Sequence, residues 1–181
     1  IEGFLEDYAQ LIRALIALFE CSGETEYLTA AQKWCDYALK TFSGGKGQFL
    51  YAASTQDGAI QKDVELADIT IPSSNAVMAH NLFLLAKLTG NSSYGKLSKE
   101  LTGRTNRRVL ESSLDFSHWA ELMLYQQQTF YEVVIVGPKA ESLCRCLSNS
   151  YLPNTVLAYS THAQESFALF KGRHKEGETF I

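Results

Sequence analysis

The sequence is poor in the residues that usually announce a special architecture. Three prolines and twelve glycines in 181 residues are too few for a collagen-like repeat or a low-complexity chain. No run of about 18 apolar residues occurs, so nothing in it reads as a membrane span. Basic residues are outnumbered, 16 Lys and Arg against 20 Asp and Glu, for a net charge of -4 and a pI near 5.6. A nucleic-acid binder carries a basic patch or stripe. The one basic cluster here, Arg104, Arg107 and Arg108, reads as a solvated helix face or turn. Neither nucleic acid nor membrane is an expected partner. The four cysteines, Cys21, Cys35, Cys144 and Cys146, form no C-x-x-C pair, and the C-x-C at 144–146 lacks the second pair a zinc site needs. They read as reduced thiols of a cytoplasmic protein, with no metal and no cofactor expected. No charged start precedes an apolar stretch, so no signal peptide is visible. The chain opens on Ile1, already inside an amphipathic pattern, and reads as a piece of something longer.

What is present is enough apolar material, 46% of residues, for one good core. Phe4, Leu5, Tyr8, Leu11, Ile12, Leu15, Ile16 and Phe19 recur at three- and four-residue steps, predicting a helix that Gly23 stops. Glu6 and Asp7 sit in its first turn, where the helix dipole favours carboxylates. Thr25 is placed to cap a second helix with the stripe Leu28, Ala31, Trp34, Cys35, Ala38, Leu39 and Phe42. The short link makes the two an antiparallel hairpin. Two β-like runs, 48–53 and 59–64, flank Asp57-Gly58, which predicts a β-hairpin at about 47–64. The Gly44-Gly45-Lys46-Gly47 stretch lacks the phosphate-loop pattern and reads as a turn.

A third helix is predicted from Ser73 to about Thr89, ended by Gly90, then a short fourth over Tyr94 to Leu101. Gly23-Glu24-Thr25-Glu26-Tyr27 and Gly90-Asn91-Ser92-Ser93-Tyr94 repeat one pattern, helix, Gly, polar pair and Tyr, 67 residues apart. Two matching hairpins point to a repeated helix-pair toroid or solenoid. Ser117 is placed to cap a fifth helix with Trp119, Leu122, Met123 and Tyr125. The apolar run Val133 to Gly137, a helical stretch over 139–150 and the run Thr155 to Tyr159 predict a small βαβ unit. The fold class is therefore mainly α: a partial (α/α) toroid of antiparallel helix hairpins over 1–130, with the β-hairpin insertion. A small α/β appendage follows over 131–181, its last twenty residues carrying weak signals and read as a partly flexible tail.

Three segments carry a family resemblance. They are Gly3-Phe4-Leu5-Glu6-Asp7-Tyr8-Ala9, Ile71-Pro72-Ser73-Ser74-Asn75-Ala76-Val77-Met78-Ala79-His80-Asn81-Leu82 through Gly90, and Val133 to Gly137 with Tyr151-Leu152-Pro153-Asn154-Thr155-Val156-Leu157. In order, they resemble the C-terminal half of the YyaL-like, spermatogenesis-associated proteins. The family's fuller pattern in the second segment is D-G-A-x-P-S-x-N-S. Asp68 matches the Asp, while Ile69 stands where Gly is usual and Ala76 where Ser is usual. The resemblance implies a toroid similar to N-acylglucosamine 2-epimerases and six-hairpin glycosidases, preceded in the family by a thioredoxin-like domain. It also implies that this chain is a fragment of roughly half a barrel, with a loose assignment to carbohydrate chemistry.

A sugar site at the mouth of such a toroid needs two carboxylates, or a His with a carboxylate, and rings for the sugar to pack on. The candidates for catalysis are Asp7, Asp68 and His80; those for sugar binding are Glu6, Tyr8, Ser73, Ser74 and Asn75. If the first and third helices point the same way, these groups converge on one rim. The plainer reading gives Ser73, Ser74 or Asn75 a capping role, Asp7 a structural one and His80 a place in the core. His118, His162 and His174 have no carboxylate partner evident from the sequence. Two functions stay open: a fragment of an epimerase-like or glycosidase-like carbohydrate-active protein, or a non-catalytic helical scaffold serving a thioredoxin-like domain.

Overall fold

The computed structural model describes residues 3–44, 47–53 and 63–181. Its elements are α1 (Leu5–Ser22), α2 (Thr25–Thr41), α3 (Ser74–Thr89), α4 (Ser92–Glu111), α5 (Ser117–Gln127), β1 (Tyr131–Val136), α6 (Ala140–Ser148) and β2 (Thr155–Ser160). The described part is mainly helical, with a small two-stranded parallel sheet.

Helix α1 buries Leu5, Ala9, Ile12, Ile16 and Phe19, one stripe at helical spacing, against α2 and α3. Gly23 ends it in the left-handed conformation, φ 72, with its N–H on the Phe19 carbonyl. A side chain there would meet the Tyr159 carbonyl, so both the turn and the docking of β2 demand glycine. Helix α2 then packs back along α1 through Leu28, Ala31, Cys35 and Ala38. Thr25 is not its cap; Glu24 holds that position and makes no side-chain cap bond.

Helix α3 is unlike the others, because it is covered on nearly every side. Between α1 and α5, and backed by α4, it has no solvent face over most of its length. Its buried polar residues, Ser73 at the N-cap, then Ser74, Asn75, His80 and Asn81, therefore depend on partners inside the protein, and among the described residues only Ser74 Oγ and Asn81 Oδ1 of their buried side-chain atoms have none. Asn81 donates to the Ala9 carbonyl of α1 at 2.8 Å, tying the two helices side by side.

The fourth helix is much longer than its expected span, running from Ser92 to Glu111. The apolar stripe predicts a stop near Leu101 because the next inward positions are Thr102 and Thr105. Both are buried, and their hydroxyls bond the preceding turn's carbonyls, so the helix continues without an apolar signature.

The sheet's two strands pair in parallel, Tyr131 opposite Thr155 through Val136 opposite Ser160, joined through α6 as a βαβ unit. The expected β-hairpin at 47–64 is not among the observed strands. Within 48–53 there is an isolated bridge, Ser43 to Phe49, the Phe49 backbone is held by the α3 side chain of Asn75, and among the described residues a single bond from the Tyr51 N–H to the Asp63 carbonyl joins the two expected arms. Residues 54–62, with the expected turn, lie outside the described residues.

Helices α1 and α3 run in the same direction. Both begin beside the 49–51 segment, since the Leu5 N–H donates to the Tyr51 carbonyl and Asn75 bonds Phe49. Both end at the sheet, where Glu20 accepts from the Leu157 N–H and Lys87 pairs with Glu132.

Candidate functional site

The parallel course of α1 and α3 brings their first turns to one end of the molecule, beside the 49–51 segment. Glu6, Asp7 and Glu65 all lie close enough to Tyr51 to raise its pKa, although burial is the largest cause. The ring of Phe4 stacks on Tyr51 with centroids 4.9 Å apart. Several candidate groups at this end are, however, engaged in holding the fold. The Asp7 carboxylate accepts from the Phe4 N–H at 2.8 Å and closes the first turn of α1. The Tyr8 ring points between α1 and α2, packed 5.2–5.7 Å from Trp34, Tyr37 and Phe42.

Asp68 has the most consequential structural role. One carboxylate oxygen accepts from the Ser73 N–H at 2.8 Å, at the start of α3. The other accepts from the His118 N–H at 2.9 Å, at the start of α5. A single carboxylate thus caps two helices, where orphan amides and the dipoles favour negative charge. This also explains why Ser117, the expected cap of α5, makes no cap bond: Phe116 occupies the N-cap and Asp68 supplies the acceptor. Ser73 caps α3 by accepting from the Ala76 N–H and donates to the Leu66 carbonyl, which also accepts from the Trp119 indole. Asn75 both donates to and accepts from the backbone of Phe49. The Ser74 N–H donates to Glu65, while its hydroxyl has no partner among the described residues. The Asp-x-x-x-Pro-Ser-x-Asn stretch is a device that locks two helix starts and a crossing segment together.

A second group of polar side chains lies further along α3, where that helix meets α5. His80 Nε2 donates to the His118 carbonyl at 2.8 Å. The His80 ring stacks on that of His118, centroids 3.9 Å apart and planes within 14°. His118 Nδ1 lies 3.2 Å from Glu121 Oε2, one helical turn on, and Tyr125 donates its hydroxyl proton to Glu121 Oε1 at 2.7 Å. Burial, then the neighbouring His118, lowers the pKa of His80 to about 3, so His80 is a neutral ring. Burial also lowers that of His118, opposed by the charges of Glu121 and Asp68. Burial and the bond to Glu121 raise that of Tyr125. The charge of Arg13, from α1, bears on His80, His118 and Tyr125 alike.

The side chains of His118 and Glu121 are 24% and 48% exposed, so this group opens to solvent on one side. It is a carboxylate-oriented imidazole laid on a second, neutral imidazole. Of the expected catalytic residues only His80 belongs to it. His118, Glu121 and Tyr125 were not expected; the signal that marks the pair is the His-x-x-Glu spacing on one helix, which puts both on one face.

By residue type, His80, His118 and Glu121 could hold a metal, since one donor atom of each lies within 4.8 Å of the others. The arrangement does not suit one. An imidazole binds an ion in its ring plane, and an ion shared by two nearly parallel stacked rings would lie out of both planes. The lone pair of His80 Nε2 is also taken up by the proton that bonds the His118 carbonyl.

No protein-family model matches the chain. It is 32% identical over 171 residues to spermatogenesis-associated protein 20 of Homo sapiens, 33% identical over 171 residues to the Rattus norvegicus protein and 31% over 174 residues to that of Mus musculus. Each alignment covers 91% of this chain and 22% of the relative. The chain is thus homologous to spermatogenesis-associated protein 20 and spans about a fifth of the length of these relatives.

Proposed function

We propose that the chain is a stretch of a longer cytoplasmic protein of the YyaL-like, spermatogenesis-associated family, and that α1, α3 and α5 form part of the inner wall of an (α/α) toroid. On this reading the complete protein acts on a sugar by proton transfer in an epimerase-like reaction, and His118 is the proton-transfer group that this stretch contributes. The single observation that supports it is the half-open His118–Glu121 pair stacked on His80. Glu121 fixes the ring of His118 and leaves its Nε2 for a substrate proton, the arrangement general base catalysis needs. Asp68, which the sequence offers for catalysis, is turned to two backbone amides. A glycosidase needs two facing carboxylates; an imidazole with one carboxylate suits abstraction of a proton beside an open-chain sugar carbonyl.

The second reading is a non-catalytic helical scaffold for a thioredoxin-like domain, favoured by the structural engagement of Asp7, Asp68, Ser73 and Asn75. The two separate in one experiment on the full-length protein. Hexoses and N-acetylhexosamines are incubated in deuterium oxide and followed by proton NMR for exchange at the carbon beside the carbonyl. The enzyme reading expects exchange with at least one sugar, falling at least a hundredfold in His118→Gln and Glu121→Gln. No exchange with any sugar sinks it. Retention of a thioredoxin-like domain by the isolated helical part then supports the scaffold.

A further inference from the structure

The two edges of the sheet are treated differently. Along β2, the outward Leu157 N–H is taken by Glu20 of α1, and the Tyr159 hydroxyl bonds the Cys21 carbonyl, so that edge is covered. Along β1, the amides of Tyr131 and Gly137 point toward the second strand and its flanks, donating to the carbonyls of Asn154 and Ser160. Backbone groups alternate sides along a strand. The odd-numbered positions of β1 therefore face β2, and Glu132, Val134 and Val136 face outward. Val136 is satisfied, since it exchanges two hydrogen bonds, 3.0 and 2.9 Å, with Phe180 in an antiparallel bridge. The outward N–H groups of Glu132 and Val134 have no such partner among the described residues. A cavity of about 600 Å³ lies along them, bounded by Gly172, Arg173 and Phe180.

The tail is held firmly at the start of this edge. Gly137 adopts φ 129, and a side chain there would collide with the Glu178 carbonyl. The Lys139 N–H donates to the Thr179 hydroxyl. Antiparallel pairing of Phe180 with Val136 sends the chain past Ile135 toward Val134 and Glu132. We propose that the outer edge of β1 seats a third, antiparallel strand, and that its occupant is the continuation of the chain past Ile181, with the second and fourth residues after Phe180 opposite Val134 and Glu132. Exposed strand edges left unpaired invite association, and here the direction of the tail chooses the partner. The inference rests on the reading that the chain is a stretch of a longer protein, which the intact mass of the protein purified from its source tests separately.

The direct test is amide hydrogen exchange on that purified protein. Glu132 and Val134 are expected to exchange as slowly as Val136, within a factor of about ten. Exchange of both at least a hundredfold faster than Val136 overturns the proposal. The same measurement on residues 1–181 at two concentrations tests the occupant. Fast exchange of Glu132 and Val134, independent of concentration, supports the continuation; protection that grows with concentration shows a second copy on the edge and overturns it.

Discussion

The two ends of the polar side of α3 use similar residues to opposite effect. At its first turn, Asp68, Ser73 and Asn75 are bonded to backbone groups of loops and neighbouring helices. Further along, His80, His118, Glu121 and Tyr125 interact chiefly through their side chains, and one side of that network stays open. A side chain whose polar atoms each hold a backbone group is committed to the frame, however suggestive its motif. A side-chain network with one open nitrogen keeps a group for a ligand. The most motif-like stretch of this sequence builds the frame, and the half-open imidazole–carboxylate group is marked only by the short His-x-x-Glu spacing of α5.

Asp68→Ala removes the acceptor from two helix starts and is expected to cost about 3 kcal/mol, a fall of roughly 6–12 °C in Tm. Urea and thermal unfolding check it, and a loss below about 1 kcal/mol would show that Asp68 is free for other work. The acid response sharpens the other end. His80 has its folded pKa depressed to about 3, so the unfolded chain binds the proton that the folded one refuses. Its contribution is fully present above about pH 6.5 and shrinks as pH falls toward 3, at ~1.4 kcal/mol per pH unit. By pH 5 the loss is about 2 kcal/mol. Arg13 opposes protonation too, while Glu121 and Asp68 favour it at His118. His80→Gln, which can still donate to the His118 carbonyl, is expected to flatten the slope of unfolding free energy against pH.

Smaller effects follow at the rim. Asp7→Asn weakens the first-turn bond to Phe4 and is expected to cost about 1 kcal/mol, with sugar-dependent exchange in the full-length protein retained. Loss of that exchange at undiminished stability would return Asp7 to the catalytic list. Ser74→Ala is expected to change stability by less than about 0.5 kcal/mol, because its buried hydroxyl has no partner among the described residues to lose. A loss above about 1.5 kcal/mol would reveal a partner.

The helices were legible where periodic apolar residues or a left-handed glycine marked them: α1 with Gly23, α3 with Gly90, and the βαβ unit from its continuous apolar strands. They were not legible where buried threonines replaced aliphatics, as in the second half of α4. The expected hairpin forms no strand pair within 48–53, where Asn75, distant in sequence, takes the backbone of Phe49 and, among the described residues, only Tyr51 bonds the other expected arm, at Asp63. The histidine cluster was half legible. His80 stood out as a histidine on a buried helix, but its partner His118 comes from α5, and stacking between helices has no signature in one sequence. The Asp68 stretch was visible as a motif, and only its bonds told which role it serves.

His80 is neutral beneath a His118 ring that Glu121 orients. Long-range proton–nitrogen NMR of the four histidine side chains at pH 5 reads this directly. The prediction is one protonated nitrogen on His80, Nε2, and a His118 Nδ1 proton shifted by its carboxylate, a shift lost in Glu121→Gln. A doubly protonated His80 at that pH, titrating near 6.5 like a solvent-exposed imidazole, would contradict it.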